Sequence, residues 1–426
     1  MDARFLLKTD GAAALYEQYA RDNPIVDYHN HLSVKDMAAD RRYGNITEIW
    51  LDPDPYKQRL MRICGVEERY ITGGASPREK FRKFCEIFPL LAGNPVYDWS
   101  RMELFQVFGV SQLPTGGKAD ELYDRLGERL ASPEYSANGI LKRFHVSYQS
   151  PVASPLEDLS DFGAAAAPSF RGDQLLAPTE ELRAGLAEKT GRTQFWQAVC
   201  ALLDRFHAAG CRFADHSMDD GFFRTDADGT QTETLVKLGA EYARRGWTLL
   251  LHLGAKRRTS PRLARLAGPA GGYAASGSSF PTAAVCDLLG RMEEAGGLPD
   301  TVLFPLNMSD QASLATLQGS FSQDGVASKV QLGPAWWWCD HAFGIRSTLQ
   351  CVASFGAVSQ FIGMTTDSRS ILSMVRHDYF RRLLCSWLDE QNRTGEWSLP
   401  TEALGRIVEN ITYRNAKRKI DRRGEV

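Results

Sequence analysis

Short apolar or β-branched runs that stop abruptly at polar or glycine-containing segments recur along the chain at 25–31, 144–150, 165–171, 211–216, 247–253, 301–307, 329–333 and 360–366. Runs of this length, bounded by turn residues, predict strands buried on both faces. Between most of them the apolar period lengthens to that of a helix. Residues 234–245 form an amphipathic pattern with Arg244 and Arg245 in its last turn and Gly246 as its stop. Residues 374–388 carry a second such pattern, with Asp378 and Arg382 four apart on what reads as a solvent face. Strands alternating with helices imply parallel β/α units, and eight of them predict a (β/α)8 barrel of the TIM type. The interval 32–143 holds helical patterns and no clear strand. It is expected to be a mainly helical insertion after the first strand of one elaborated barrel domain spanning 1–426.

Composition narrows the partners. Fifty basic against fifty-two acidic residues leave a net charge of −2, too small to attract nucleic acid or an anionic membrane. A small molecule is the expected partner. The eight cysteines are scattered with no CxxC pair, a usage that reads as reduced thiols in the cytoplasm. The opening residues are broken by charge before a signal-peptide core forms, and no apolar run is long enough to span a bilayer. The Gly/Ala/Ser-rich stretch 267–279 reads as a loop.

Chemistry is concentrated where the predicted strands end, the face at which barrels of this type carry their sites. The first run ends in His29-Asn30-His31; side chains two apart on a strand share a face, so both imidazoles are directed to one place. Two neutral imidazoles held side by side suit a divalent metal. Arg171, Asp215, His252 and Asn307 lie at the ends of the third to sixth runs, and Asp367 just follows the eighth.

With these positions marked, the chain resembles the uronate (glucuronate) isomerases, a branch of the amidohydrolase superfamily of metal-dependent barrels. The resemblance is carried by Asp27-Tyr28-His29-Asn30-His31-Leu32, His252-Leu253-Gly254-Ala255, Thr366-Asp367-Ser368-Arg369-Ser370 and Arg376-His377-Asp378-Tyr379-Phe380-Arg381-Arg382. It runs from about Phe5 to the region of Asn415 and is thinnest over 114–134, 172–193 and 256–280. It implies an aldose–ketose isomerase that converts D-glucuronate to D-fructuronate, D-galacturonate to D-tagaturonate, or both. It further implies one divalent metal, zinc in the first instance, held by His29, His31 and Asp367. Asp367 is the expected proton acceptor, Tyr56 an assistant at the substrate, and Arg171 and Arg369 the carboxylate clamp. Asp215 and His252 are expected at substrate hydroxyls or behind the metal ligands, with His252 as an alternative ligand. Association into a homo-oligomer is a further expectation.

Three departures bear on substrate choice. Pro55 stands where relatives carry a histidine, Ala153 and Ser154 stand in place of two acids, and Ser309 stands in place of an arginine. Loss of polar groups that pair with particular hydroxyls changes selectivity. Three other readings therefore accompany the isomerase: a metal-dependent hydrolase, a diverged isomerase with altered substrate or weak activity, and a non-catalytic binder of sugar acids.

Overall fold

A computed structural model describes residues 2–163, 166–395 and 397–421. Seven parallel strands form one curled sheet in chain order: β1 (Ile25–Asn30), β2 (Val146–Ala153), β3 (Ser169–Arg171), β4 (Phe213–Met218), β5 (Thr248–Leu253), β6 (Asp300–Pro305) and β7 (Val330–Leu332). Every residue of β1, β5 and β6 is buried, as expected of a parallel sheet covered on both faces. The seven runs predicted up to 333 each meet a strand, with no end displaced by more than four residues; Ala165, the predicted start of the third, lies outside the described residues.

The eighth run does not form a strand. Residues 361–368 pass between the two edges of the sheet without a ladder. On one side Gln331 of β7 accepts from the backbone N–H of Ile362 at 2.8 Å. On the other, Asp27 of β1 accepts from the N–H of Thr366 at 2.7 Å, and the N–H of Asp367 donates to the carbonyl of His29 at 3.1 Å. The backbone itself prevents regular pairing. Gly363 has φ +85°, and a Cβ there would lie 2.0 Å from the carbonyl oxygen of Ile411; Asp367 has φ +47°. Left-handed residues at both positions bend the segment out of extended geometry.

Between β1 and β2 the chain forms helices and turns, among them α1 (Pro55–Ile63), α2 (Pro77–Ile87), α3 (Pro95–Phe108) and α4 (Ala119–Leu130). Pro55 opens α1, where its missing N–H costs nothing, and Asp54 caps it by accepting from the N–H groups of Tyr56 and Lys57 at 2.9 and 3.2 Å. Lys57 is buried and pairs with Asp54 at 2.6 Å and with Glu103 of α3 at 3.0 Å. Removing the cation would leave two buried carboxylates facing each other. Lys57→Met is therefore expected to destabilise the fold by about 3–5 kcal/mol, read as a lower melting temperature; an unchanged midpoint would contradict the role given to this ion pair.

The helix predicted at 234–245 is α5 (Thr230–Arg244), and that at 374–388 is α6 (Val375–Arg393). The face of α6 carrying Asp378 and Arg382 is not a solvent face. Asp378 accepts from the Tyr16 hydroxyl and from Gln106 of α3, both at 2.6 Å, and from Arg382 at 3.0 Å. Spacing alone gave the pair but not the helices packed over it. No helix among the described residues is long and apolar enough to cross a membrane.

Candidate active site

The C-terminal ends of the strands open into a cavity of about 650 Å³. His29 in β1, His31 just beyond it, Tyr56 at the start of α1, Arg171 at the end of β3, His252 in β5, and Asp367 and Arg369 all line it. Seven of the eight side chains expected from the sequence thus face one space. The eighth, Asp215, is fully buried behind it, with its carboxylate 2.7 Å from His252 Nδ1 and 3.0 Å from Arg171 Nη1.

Backbone bonds hold Asp367 against the two imidazoles. Asp27 is the hub: its carboxylate accepts from Thr366 N and Oγ1 and from Asn30, and lies 3.3 Å from His377 Nε2. Although burial opposes its charge, the bonds from His377 and Thr366 keep Asp27 below the usual carboxylate range. His31 N donates to the carbonyl of Ser368 at 2.8 Å. The left-handed turn at Asp367 then aims its Oδ1 at His31 Nε2, 3.1 Å away, and at His29 Nε2, 3.3 Å away.

These separations match a cation site. Two ligand atoms about 2.1 Å from a tetrahedral zinc are about 3.4 Å apart. The second carboxylate oxygen of Asp367 is buried and has no hydrogen-bond partner among the described residues, which leaves it free for a group that enters the cavity. Burial, opposed by Asp367, lowers His31 to about 4 and keeps it neutral, the form that binds a metal. Asp367 is held well below the usual range despite burial, by its bonds from His29 and His31. His29, Asp215 and His252 form a second cluster with ligand atoms within 4.8 Å of one another. There the Arg171 guanidinium already neutralises Asp215, whereas the cluster of His29, His31 and Asp367 has no such cation bonded to it among the described residues. Asp215 instead fixes the orientation of His252, leaving His252 Nε2 buried and without a partner among the described residues.

Guanidinium groups face this cluster. Arg171 donates through Nε to Asp173 at 3.0 Å, and its pairing with Asp215 holds its pKa above the ordinary arginine value. Arg369 has no hydrogen-bonded or ionic partner among the described residues, and burial within the cavity walls disfavours its charge. A third arginine was not expected. Arg257, five residues beyond His252, donates to Asp219 at 2.9 Å and to Ser217, and stacks 4.8 Å from the Trp337 ring. Its position just past the end of β5 is the signal that could have found it, but it falls where the resemblance is thin.

Tyr56 is fixed by rings: Trp99 at 5.7 Å and Trp338 at 5.5 Å, both edge-on. Its buried hydroxyl has no hydrogen-bond partner among the described residues, and burial raises its pKa, so it stays protonated. Trp336 packs edge-on against His252 at 4.7 Å. The stretch 267–279 roofs the cavity through Pro269, Ala270, Gly272 and Ala274. Arg59 holds it by donating to the carbonyls of Gly272 and Ala274, and a Cβ at Gly272 (φ +76°) would lie 2.2 Å from the Pro55 carbonyl oxygen. Ser309 is exposed, bonded to Asn307, and does not line the cavity; neither do Ala153 and Ser154.

Comparison with known proteins covers nearly the whole chain. A family model described as glucuronate isomerase matches residues 1–230 and 223–419. The chain belongs to the glucuronate isomerase family. A uronate isomerase of Caldanaerobacter subterraneus subsp. tengcongensis is 37% identical, the match covering 98% of each chain. One of Oceanobacillus iheyensis is 36% identical, covering 99% of this chain and 98% of the other. The crystal structure of the Thermotoga maritima uronate isomerase superposes with a TM-score of 0.90 at 26% identity, covering 99% of both chains. That of the Caulobacter crescentus glucuronate isomerase, at 22% identity, shares the fold with a TM-score of 0.86 and covers 99% of this chain and 95% of the other. The glucuronate isomerase family thus accounts for nearly the full length, including the thin stretch that holds Arg257.

Proposed function

We propose that this chain is a uronate isomerase that converts D-glucuronate to D-fructuronate, D-galacturonate to D-tagaturonate, or both. The observation that carries the reading is one cavity in which a His29–His31–Asp367 cluster faces the cation of Arg369, which has no partner among the described residues. The two ends of a hexuronate need these two environments: an electrophilic site at the C1–C2 oxygens and a cationic clamp for the carboxylate at C6.

In the reaction the C2 hydrogen leaves as a proton and a proton is returned to C1, while the O2 proton moves to O1 and the carbonyl shifts from C1 to C2. Asp367, whose second oxygen is free, is the proposed acceptor of the C2 proton. Tyr56, protonated and with its hydroxyl bonded to no other described residue, is the proposed proton donor at a substrate oxygen. Arg369 and Arg171, with Arg257 beside them, hold the carboxylate through planar forks suited to it. His252, oriented by Asp215, presents Nε2 to a substrate hydroxyl. His29, His31 and Asp367 would hold one divalent ion, zinc in the first instance, and such an ion supplies Lewis-acid polarisation of the substrate oxygens. The roof at 267–279 and the Trp336–Trp338 wall limit water at the reacting carbons.

The fold reading follows the same lines. Residues 361–368 serve as the eighth stave of a (β/α)8 barrel, with side-chain bonds to Asp27 and Gln331 in place of a ladder. Residues 32–143 serve as a helical insertion that delivers Tyr56 to the rim of a single domain. The test is an assay of ketose formation from both hexuronates with metal content measured on the same sample. Release of an amine or acid from amides, esters or lactones in place of ketose formation would instead favour a hydrolase, and tight uronate binding without turnover a binding protein.

A further inference from the structure

The run 376–382 carries part of the family resemblance, yet none of its residues lines the cavity. Its first member is the most unusual. Arg376, in the first turn of α6, is 1% exposed, a costly place for a cation unless its charge is used. Its guanidinium carbon lies 4.5 Å from the centre of the Tyr56 ring and 4.2 Å from that of Trp99. Its Nη1 donates to the carbonyl of Thr366 at 3.2 Å and lies 3.6 Å from the buried carboxylate of Asp340. No hydrogen bond from the described residues fixes the Tyr56 hydroxyl. The direction in which it points is therefore set by what packs on its ring: Trp99, Trp338 and this cation.

We propose that Arg376 is a positioning residue for the isomerisation, holding the Tyr56 ring so that its hydroxyl meets the substrate, with the buried carboxyl of Asp340 beside the guanidinium. This rests on the proton-donating role given to Tyr56 above. A guanidinium held against a ring face in a dry environment is attracted by the ring quadrupole, and the bond to Thr366 ties the same group to the residue before Asp367. One side chain thus links the donor to the strand-like segment that carries the base.

The test is a double-mutant cycle on the full chain loaded with metal, with metal content and melting temperature recorded for each variant. Tyr56→Phe is expected to lower kcat by about tenfold or more with KM changed less than about threefold. Arg376→Met is expected to do the same in the wild-type background, but to change kcat by less than about twofold when Tyr56→Phe is already present. Arg376→Lys, which keeps the cation, should recover part of the loss. If Arg376→Met does not fold, Asp340→Asn takes its place, with an expected loss of about threefold that is likewise absent in the Tyr56→Phe background. Equal losses in both backgrounds, or a loss confined to KM, would overturn the proposal. A Tyr56→Phe variant with wild-type kcat would instead remove the role of Tyr56 itself, and the proposal with it.

Discussion

Asp367→Asn is expected to lower kcat by about 10²–10⁴-fold, the range for removing a group that transfers a proton in the transition state, and to deplete the bound metal. The substitution preserves shape while replacing one carboxylate oxygen with an amide nitrogen that cannot ligate a cation. Both effects follow from one geometry: Oδ1 faces His31 Nε2 at 3.1 Å and His29 Nε2 at 3.3 Å, while the other oxygen is left for the substrate. Chelation of the wild-type protein should abolish activity, and adding back a divalent ion should restore it. Adding the same ion to Asp367→Asn should not. Elemental analysis beside steady-state kinetics checks both halves, and a variant that retains metal and more than about a tenth of kcat would contradict the double use of this carboxylate.

Arg369→Met and Arg171→Met are expected to fail in different ways. Arg369 has no partner among the described residues, so its removal strands no acceptor and should leave the melting temperature close to wild type. It should cost about 2–5 kcal/mol of substrate binding, the usual loss when one member of a buried charged pair is truncated, which is about 30-fold or more in kcat/KM. Most of that should appear in KM. Arg171 neutralises Asp215, which is fully buried and also orients His252. Arg171→Met should therefore lower activity and also destabilise the fold by about 3–5 kcal/mol, the penalty for an uncompensated buried charge. Thermal melts and kinetics on the two variants separate these outcomes; equal melting temperatures would show that Asp215 does not depend on Arg171.

The parts of this site that the sequence made legible are those encoded locally. His29 and His31 share a face because strand side chains alternate, and Arg171 and Asp367 sit where predicted apolar runs stop. Strands β5 and β6 were visible because every residue is buried and the run reads as largely apolar; β2, with Ser147 exposed, was visible only through its β-branched and aromatic residues. What the sequence concealed depends on contacts across the chain. The eighth run has a strand's composition, yet Gly363 and Asp367 take left-handed geometry against Ile411 and the imidazoles. Asp378 and Arg382 have the spacing of a solvated ion pair, but α3 and Tyr16 cover them. Asp215 was expected either at a substrate hydroxyl or behind the metal ligands, and a strand-end position alone could not choose between them; the fold places Arg171 and His252 between it and the cavity. Arg257 was lost in a low-similarity stretch. Pro55, read from sequence as the loss of a proton-carrying side chain, proves to start the helix that carries Tyr56.

The most direct test supplies D-glucuronate and D-galacturonate separately to the purified, metal-loaded chain and follows the appearance of a C2 ketone by NMR. The account predicts conversion of at least one hexuronate to its ketose, abolished by Asp367→Asn and by chelation. A folded, metal-bound protein that leaves both sugars as aldehydes would contradict it.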